Sequence, residues 1–237
     1  MHKFACCFSA MAMSCALLGS GADAEATAHA PVVAYPNMAP LSQYLITDRA
    51  SEIALARSAA PVGISGKATI QVLGPSGYTT AVKGSNGFVC IVERAWMSPF
   101  NSAQFWNPKL RGPDCYNPQA AQSILPIVYR RTTLALRGLS REKIQAAMKA
   151  ALDAKQLPAL APGAMSYMMS RQQRIGDQLN QWLPHLMFYT PANADWGAYA
   201  NGSPVIQTPL FRGAPQPIRM FLIPVGQWSD GSVAPRQ

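Results

Sequence analysis

The chain has 237 residues, 49% hydrophobic and only 13% charged, with a formal net charge of +9. That balance excludes a disordered chain or a coiled coil, and it supports a sizeable core without a metal or disulfide framework. A basic chain with no aromatic–basic module is a poor fit to nucleic acid, and past the N-terminus nothing approaches the roughly 20 apolar residues of a membrane span.

Residues 1–24 have the pattern of a secretory signal. Lys3 gives a basic start, residues 4–18 are apolar, and Ala22-Asp-Ala24 is a small-x-small cleavage site. The mature protein is therefore expected in the periplasm or outside the cell. Cleavage after Ala24 removes Lys3 and Asp23, so the formal charge stays at +9. It also removes Cys6, Cys7 and Cys15, leaving Cys90 and Cys115. In an oxidising compartment these two suit a disulfide, the alternative being a buried free Cys90. Residues 25–40 read as a flexible lead-in, and residues 41–237 as one globular domain.

Asp48 or Thr47 caps a first helix ending near Ser58, where Pro61 and Gly63 stop it. A three-stranded meander is expected next. Residues 67–73 alternate, 74–77 turn, 78–83 alternate back, and Asn86-Gly87 launches a third strand over 88–93. Both faces of this third strand are apolar, so it reads as central and covered on two sides. Phe88, Cys90 and Val92 share one face, and Val89, Ile91 and Glu93 the other. A carboxylate on such a face needs a cation, several donors or a proton.

Residues 97–117 read as a long loop rich in aromatics and prolines. Asn117-Pro118 begins a helix running to about Arg137 with a bend at Pro126, and Gly138 ends it. Ser140 caps the next helix, whose apolar face carries Ile144, Ala147, Met148 and Ala151. Ser140 and Lys143 match Ser-x-x-Lys in form, but a helix cap accounts for both. The group Arg130, Arg131, Arg137, Arg141 and Lys143 reads as a solvated helix face. Strands over 164–169, 183–190 and 219–225 follow, with an irregular loop over 191–216. The fold class is α+β: a largely antiparallel sheet, the meander plus C-terminal strands, packed with about three helices.

No Gly-x-Ser-x-Gly elbow, Walker loop or dinucleotide glycine fingerprint is present, which disfavours those enzyme classes. One histidine and two cysteines beyond the lead-in make no metal-ligand set, so no metal or cofactor is expected. His185 and Glu93 form the one acid–base pair worth proposing, a carboxylate that holds an imidazole. Arg94, Trp96, Trp106, Tyr167 and Trp196 are the candidates to line an aromatic pocket.

The stretches Ala81-Val-Lys-Gly-Ser-Asn-Gly-Phe-Val-Cys90, Phe105-Trp-Asn-Pro-Lys-Leu-Arg-Gly-Pro113, Pro184-His-Leu-Met-Phe188 and Pro224-Val-Gly-Gln-Trp-Ser-Asp230 carry a resemblance. In them the chain is similar to a family of exported bacterial proteins of unknown function. The resemblance implies export and a single domain, and it brings no catalytic residues. Three readings follow. The first is a module binding a small organic or anionic ligand in an aromatic-lined pocket. The second is a metal-independent hydrolase or lyase using Glu93 and His185, and the third an envelope interaction protein without a pocket.

Overall fold

The computed structural model describes residues 35–177, 183–191, 206–207 and 218–235. The expected signal and most of the lead-in, with Trp196, lie outside the described residues.

Helix α1 (Arg49–Arg57) starts where Asp48 accepts hydrogen bonds from the Ala50 and Ser51 N–H groups. Such a cap is worth about 1 kcal/mol. A short helix α2 (Val62–Ser65) follows Pro61. Strands β1 (Thr69–Gly74) and β2 (Gly77–Val82) form an antiparallel hairpin, and β3 (Val89–Glu93) follows. Then come β4 (Gly112–Tyr116), α3 (Pro118–Ser123), α4 (Leu125–Leu136) and α5 (Arg141–Asp153). Strands β5 (Met165–Met168), β6 (His185–Pro191), β7 (Ile206–Gln207) and β8 (Ile218–Pro224) complete the described elements.

Among the described residues the eight strands form one sheet in the order β2-β1-β3-β4-β5-β6-β8-β7. The protein is α+β and the sheet largely antiparallel, with more strands and helices than the sequence suggested. One pair is parallel: β1 lies beside β3, with Thr69 opposite Val89 and Ile70 opposite Cys90. The expected meander is thus corrected to a hairpin whose exit crosses back over its own start. Gly84 makes the crossing, since a Cβ there would lie 2.2 Å from the Thr69 nitrogen. Gly87, at φ +77°, then turns the chain into β3.

The expected loop over 97–117 is corrected too, because Gly112–Tyr116, near its end, is the fully buried strand β4. Two facts hide it. Gly-Pro-Asp-Cys-Tyr has little strand character, and Pro113 lacks a donor. Cys90 and Cys115 face each other with Cα atoms 3.9 Å apart, the close spacing of a non-hydrogen-bonded pair. Val92 and Pro113 lie two positions along and share that character, so the missing N–H takes no bond from β3. The helix expected to bend at Pro126 is two helices, broken at Ile124, with Pro126 in the first turn of α4. Helix α5 follows its expected course, with the Ser140 hydroxyl accepting from the Lys143 N–H. Strand β7 lies in the stretch expected to be irregular.

Cys90 and Cys115 are bonded. The bridge joins neighbouring strands on the face covered by Ala56, Ala59 and Ala60 around α1. On the other face, Ile91 and Tyr116 pack with Ala120, Ile124, Leu125 and Val128 of α3 and α4. A strand covered on both sides was the expectation for β3, and the face assignment for Glu93 holds.

Candidate functional site

Strand register determines which side chains meet beneath α3 and α4. Directly opposed residues share a face of a sheet, and so do residues two apart along a strand. Starting at Glu93 and Ile91, the pairings Ile91–Asp114, Val89–Tyr116, Tyr116–Ser166, Met168–His185 and Ser166–Met187 carry that face across four strands. Tyr189 pairs with Met220, and Met187 with Leu222. Glu93, Asp114, Tyr116, Ser166, His185 and Tyr189 therefore all stand on one largely apolar face of the sheet.

Two adjoining cavities open on this face. The larger, of about 400 Å³, is bounded by Glu93, His185, Asp177 and the side chains of Met97, Met168, Met187, Met220, Leu110 and Leu222. The smaller, of about 70 Å³, holds Asp114, Tyr116, Tyr189 and Arg131. Glu93, Met97, Met187 and Met220 border both, so Glu93 stands at the partition.

The Tyr116 hydroxyl donates to Glu93 Oε1. Burial pushes the Glu93 carboxyl up, and this bond and the Arg131 charge oppose the shift. Asp114 is pushed well above the usual carboxylate range by burial and then by Glu93. The Ser166 and Tyr116 hydroxyls and the Cys115 N–H favour its charged form only in part. Among the described residues Asp114 Oδ1 has no hydrogen-bond partner. Ser166 and Tyr189 share a hydroxyl–hydroxyl bond of 2.9 Å beside it. Arg131 is buried, not on the solvated face expected for its helix. Its Nη2 donates to the Ser98 carbonyl at 2.7 Å, and its guanidinium lies 4.3 Å over the Phe100 ring.

His185 Nδ1 lies 2.7 Å from the Leu183 carbonyl oxygen. Burial holds its imidazole below the usual value, and that contact opposes the shift. At neutral pH the histidine is therefore neutral. His185 and Glu93, far apart in the chain, border the same cavity.

The remaining expected site residues have other tasks. Arg94 borders the cavity, but Nη2 donates to Glu52 Oε1 at 2.8 Å, Nε to the Tyr44 carbonyl at 2.6 Å and Nη1 to the Val92 carbonyl. Trp96 is fully buried beside Tyr44, with its indole N–H donating to Thr132 Oγ1 at 3.1 Å. Trp106 packs edge-on against Phe105 in the same core. Tyr167 opposes Cys115 and so faces the disulfide side, near Phe88. Among the described residues, methionine and leucine wall the cavity in place of the expected aromatics. Bulky aromatics have gone where the interior is closely packed, and unbranched methionines line the gap.

Asp114, Tyr116, Tyr189 and the methionines were missed. A signal for two of them existed. Once Cys115 is set opposite Cys90, alternation puts Asp114 and Tyr116 on the face of Ile91 and Glu93. Among the described residues no group of three or more His, Cys, Asp or Glu side chains is placed to hold a metal ion. None of the described helices is long and apolar enough to cross a membrane. Comparisons with protein-family models, with curated proteins and with solved structures return no match.

Proposed function

We propose that this protein is an exported module that binds a small molecule in the larger cavity, between the sheet face that carries Glu93 and His185 and the segment from Met97 to Leu110. The ligand's apolar body lies against Met97, Met168, Met187 and Leu222, and its polar group meets Glu93 and His185. One observation carries this reading: the two ionisable residues singled out in the sequence border a single apolar cavity of about 400 Å³. That volume is within the range of small-molecule sites, and a few polar fixtures in an apolar wall are their usual composition. Export is supported by the buried disulfide, which suits an oxidising compartment.

Mass spectrometry of small molecules that co-purify from the native host tests the reading directly. An enriched apolar compound, lost from Met187→Ala and Glu93→Gln proteins that remain folded, is the expected result. A folded wild-type protein that carries and binds nothing sinks it.

A second reading is a metal-independent hydrolase or lyase. It is favoured by the opposite displacements of Glu93 upward and His185 downward. Groups shifted this way suit a general acid and a general base at one site. In that case Glu93→Gln and His185→Ala abolish turnover and leave ligand affinity within a few-fold. In a binding module both changes act on affinity alone.

A further inference from the structure

Asp114 is 1% exposed, and its Oδ1 has no partner among the described residues. A buried polar oxygen left without a donor is destabilising, and a ligand that supplies the donor relieves that cost. The atom belongs to a side chain that lines the inner chamber of about 70 Å³, and Glu93 borders both that chamber and the apolar one. We infer that the inner chamber is a head-group site for a primary ammonium, held between Asp114 and Glu93, with the ligand's apolar tail in the outer chamber. The inference rests on the binding reading above and names the class of ligand.

Charge balance favours a cation. The groups facing Asp114 are Glu93 from β3, Tyr116 from its own strand, Tyr189 from β6 and Arg131 from α4. Two carboxyls face one guanidinium, so neutrality of the empty chamber requires one carboxyl proton, and Asp114, which burial and then Glu93 push up, is the group placed to hold it. Adding an ammonium brings one positive charge, and transfer of the Asp114 proton to solvent removes one. The chamber's net charge is then unchanged, and a carboxylate–ammonium pair has replaced a buried acid. An organic anion has no such compensation. Arg131 Nη1 and Nη2 already donate to the Met97 and Ser98 carbonyls, and although its Nε has no partner among the described residues, two carboxyl groups face the newcomer. Arg94, the other cation at the outer cavity, is paired with Glu52.

Isothermal titration of the purified protein with octylammonium, 1-octanol and octanoate, which share one tail, tests this. The expected result is at least tenfold tighter binding of octylammonium than of octanol, with octanoate the weakest. Titration in two buffers of different ionisation enthalpy should show about one proton released per octylammonium and none per octanol. Asp114→Asn should abolish both the preference and the proton release while octanol affinity stays within about threefold. The buffer comparison uses the wild-type protein, so it decides even if the variant does not fold. Equal affinities for octylammonium and octanol, tightest binding of octanoate, or octylammonium binding without proton release would each overturn the ammonium site and leave the apolar cavity standing. Failure of all three probes to bind would overturn both.

Discussion

Glu52 on α1 and Arg94 just after β3 form an ion pair of 2.8 Å, with side chains 1% and 0% exposed. The same carboxylate oxygen accepts the Leu73 N–H at 3.0 Å, so one atom joins a helix, a strand end and a buried guanidinium. Removing one partner of such a pair leaves an uncompensated charge and costs about 3–5 kcal/mol. Glu52→Ala should lower the unfolding free energy by that amount in urea titration. Glu52→Gln, which keeps an acceptor, should cost less. A loss below about 1 kcal/mol for Glu52→Ala, the scale of a surface pair, would show that water reaches Arg94.

The disulfide closes a loop of sequence separation 25 between adjacent strands. Loop-closure entropy for that length corresponds to about 3.5 kcal/mol of stabilisation at 25 °C. The Cys90→Ala, Cys115→Ala double variant should show a urea midpoint reduced accordingly. Wild-type protein unfolded and refolded under reductant should match it. Both sulfur-bearing residues are fully buried, so thiol reagents should label neither until the protein is unfolded and reduced. Equal midpoints with and without the bridge would show that it adds no net stability.

Local signals made much of this fold legible. Asp48, Asn117 and Ser140 stand as caps where short-range chemistry puts them, and period-two alternation assigned the two faces of β3 correctly. What escaped depends on pairing at a distance. The parallel contact of β1 with β3 is made by a crossing at Gly84 that no local propensity encodes. Strand β4 is a strand because its neighbours supply the ladder, not because Gly-Pro-Asp-Cys-Tyr prefers one. The site was half legible for the same reason. Glu93 and His185 stand out as ionisable residues on apolar strands, but their meeting depends on the order of four strands, β3-β4-β5-β6. Tryptophan in a loop suggests a ligand pocket, yet Trp96 and Trp106 are core residues. Their size makes burial in a closely packed interior the stronger demand.

Gly84 should be intolerant of any side chain. A Cβ at that position would lie 2.2 Å from the Thr69 nitrogen and 2.3 Å from the Ala68 carbonyl carbon, both backbone atoms that cannot rotate away. Relief requires β1 and the crossing to separate, at an expected cost of about 1–3 kcal/mol or more. Gly63, in α2, has nothing within 4 Å of its Cβ position, so Gly63→Ala should be neutral or stabilising by up to about 1 kcal/mol. Thermal unfolding of the two variants side by side makes the comparison. Equal melting temperatures would mean that the crossing is loose.

Asp114 gives stability an unusual dependence on pH. Its folded pKa lies well above its unfolded one, so between the two the native state holds a proton that the unfolded state has released. Stability then falls as pH rises through that window, the reverse of a carboxylate held by a cation. Glu93 contributes in the same sense, being raised by burial. His185, lowered by burial, contributes in the opposite sense, gaining stability as pH rises towards its unfolded value. Asp114→Asn removes the first of these and its coupling to Glu93 and leaves His185 in place, so the difference between variant and wild type reads the carboxyl pair. At low pH, where the acid is protonated in both states, the amide should be nearly neutral in effect. The variant should then gain on the wild type steadily as pH increases, measured as the difference in urea-unfolding free energy from pH 4 upward. A variant that instead loses ground with rising pH would mean that Asp114 is ionised and held by a cation in the native protein, and the empty oxygen beside Tyr189 would need another explanation.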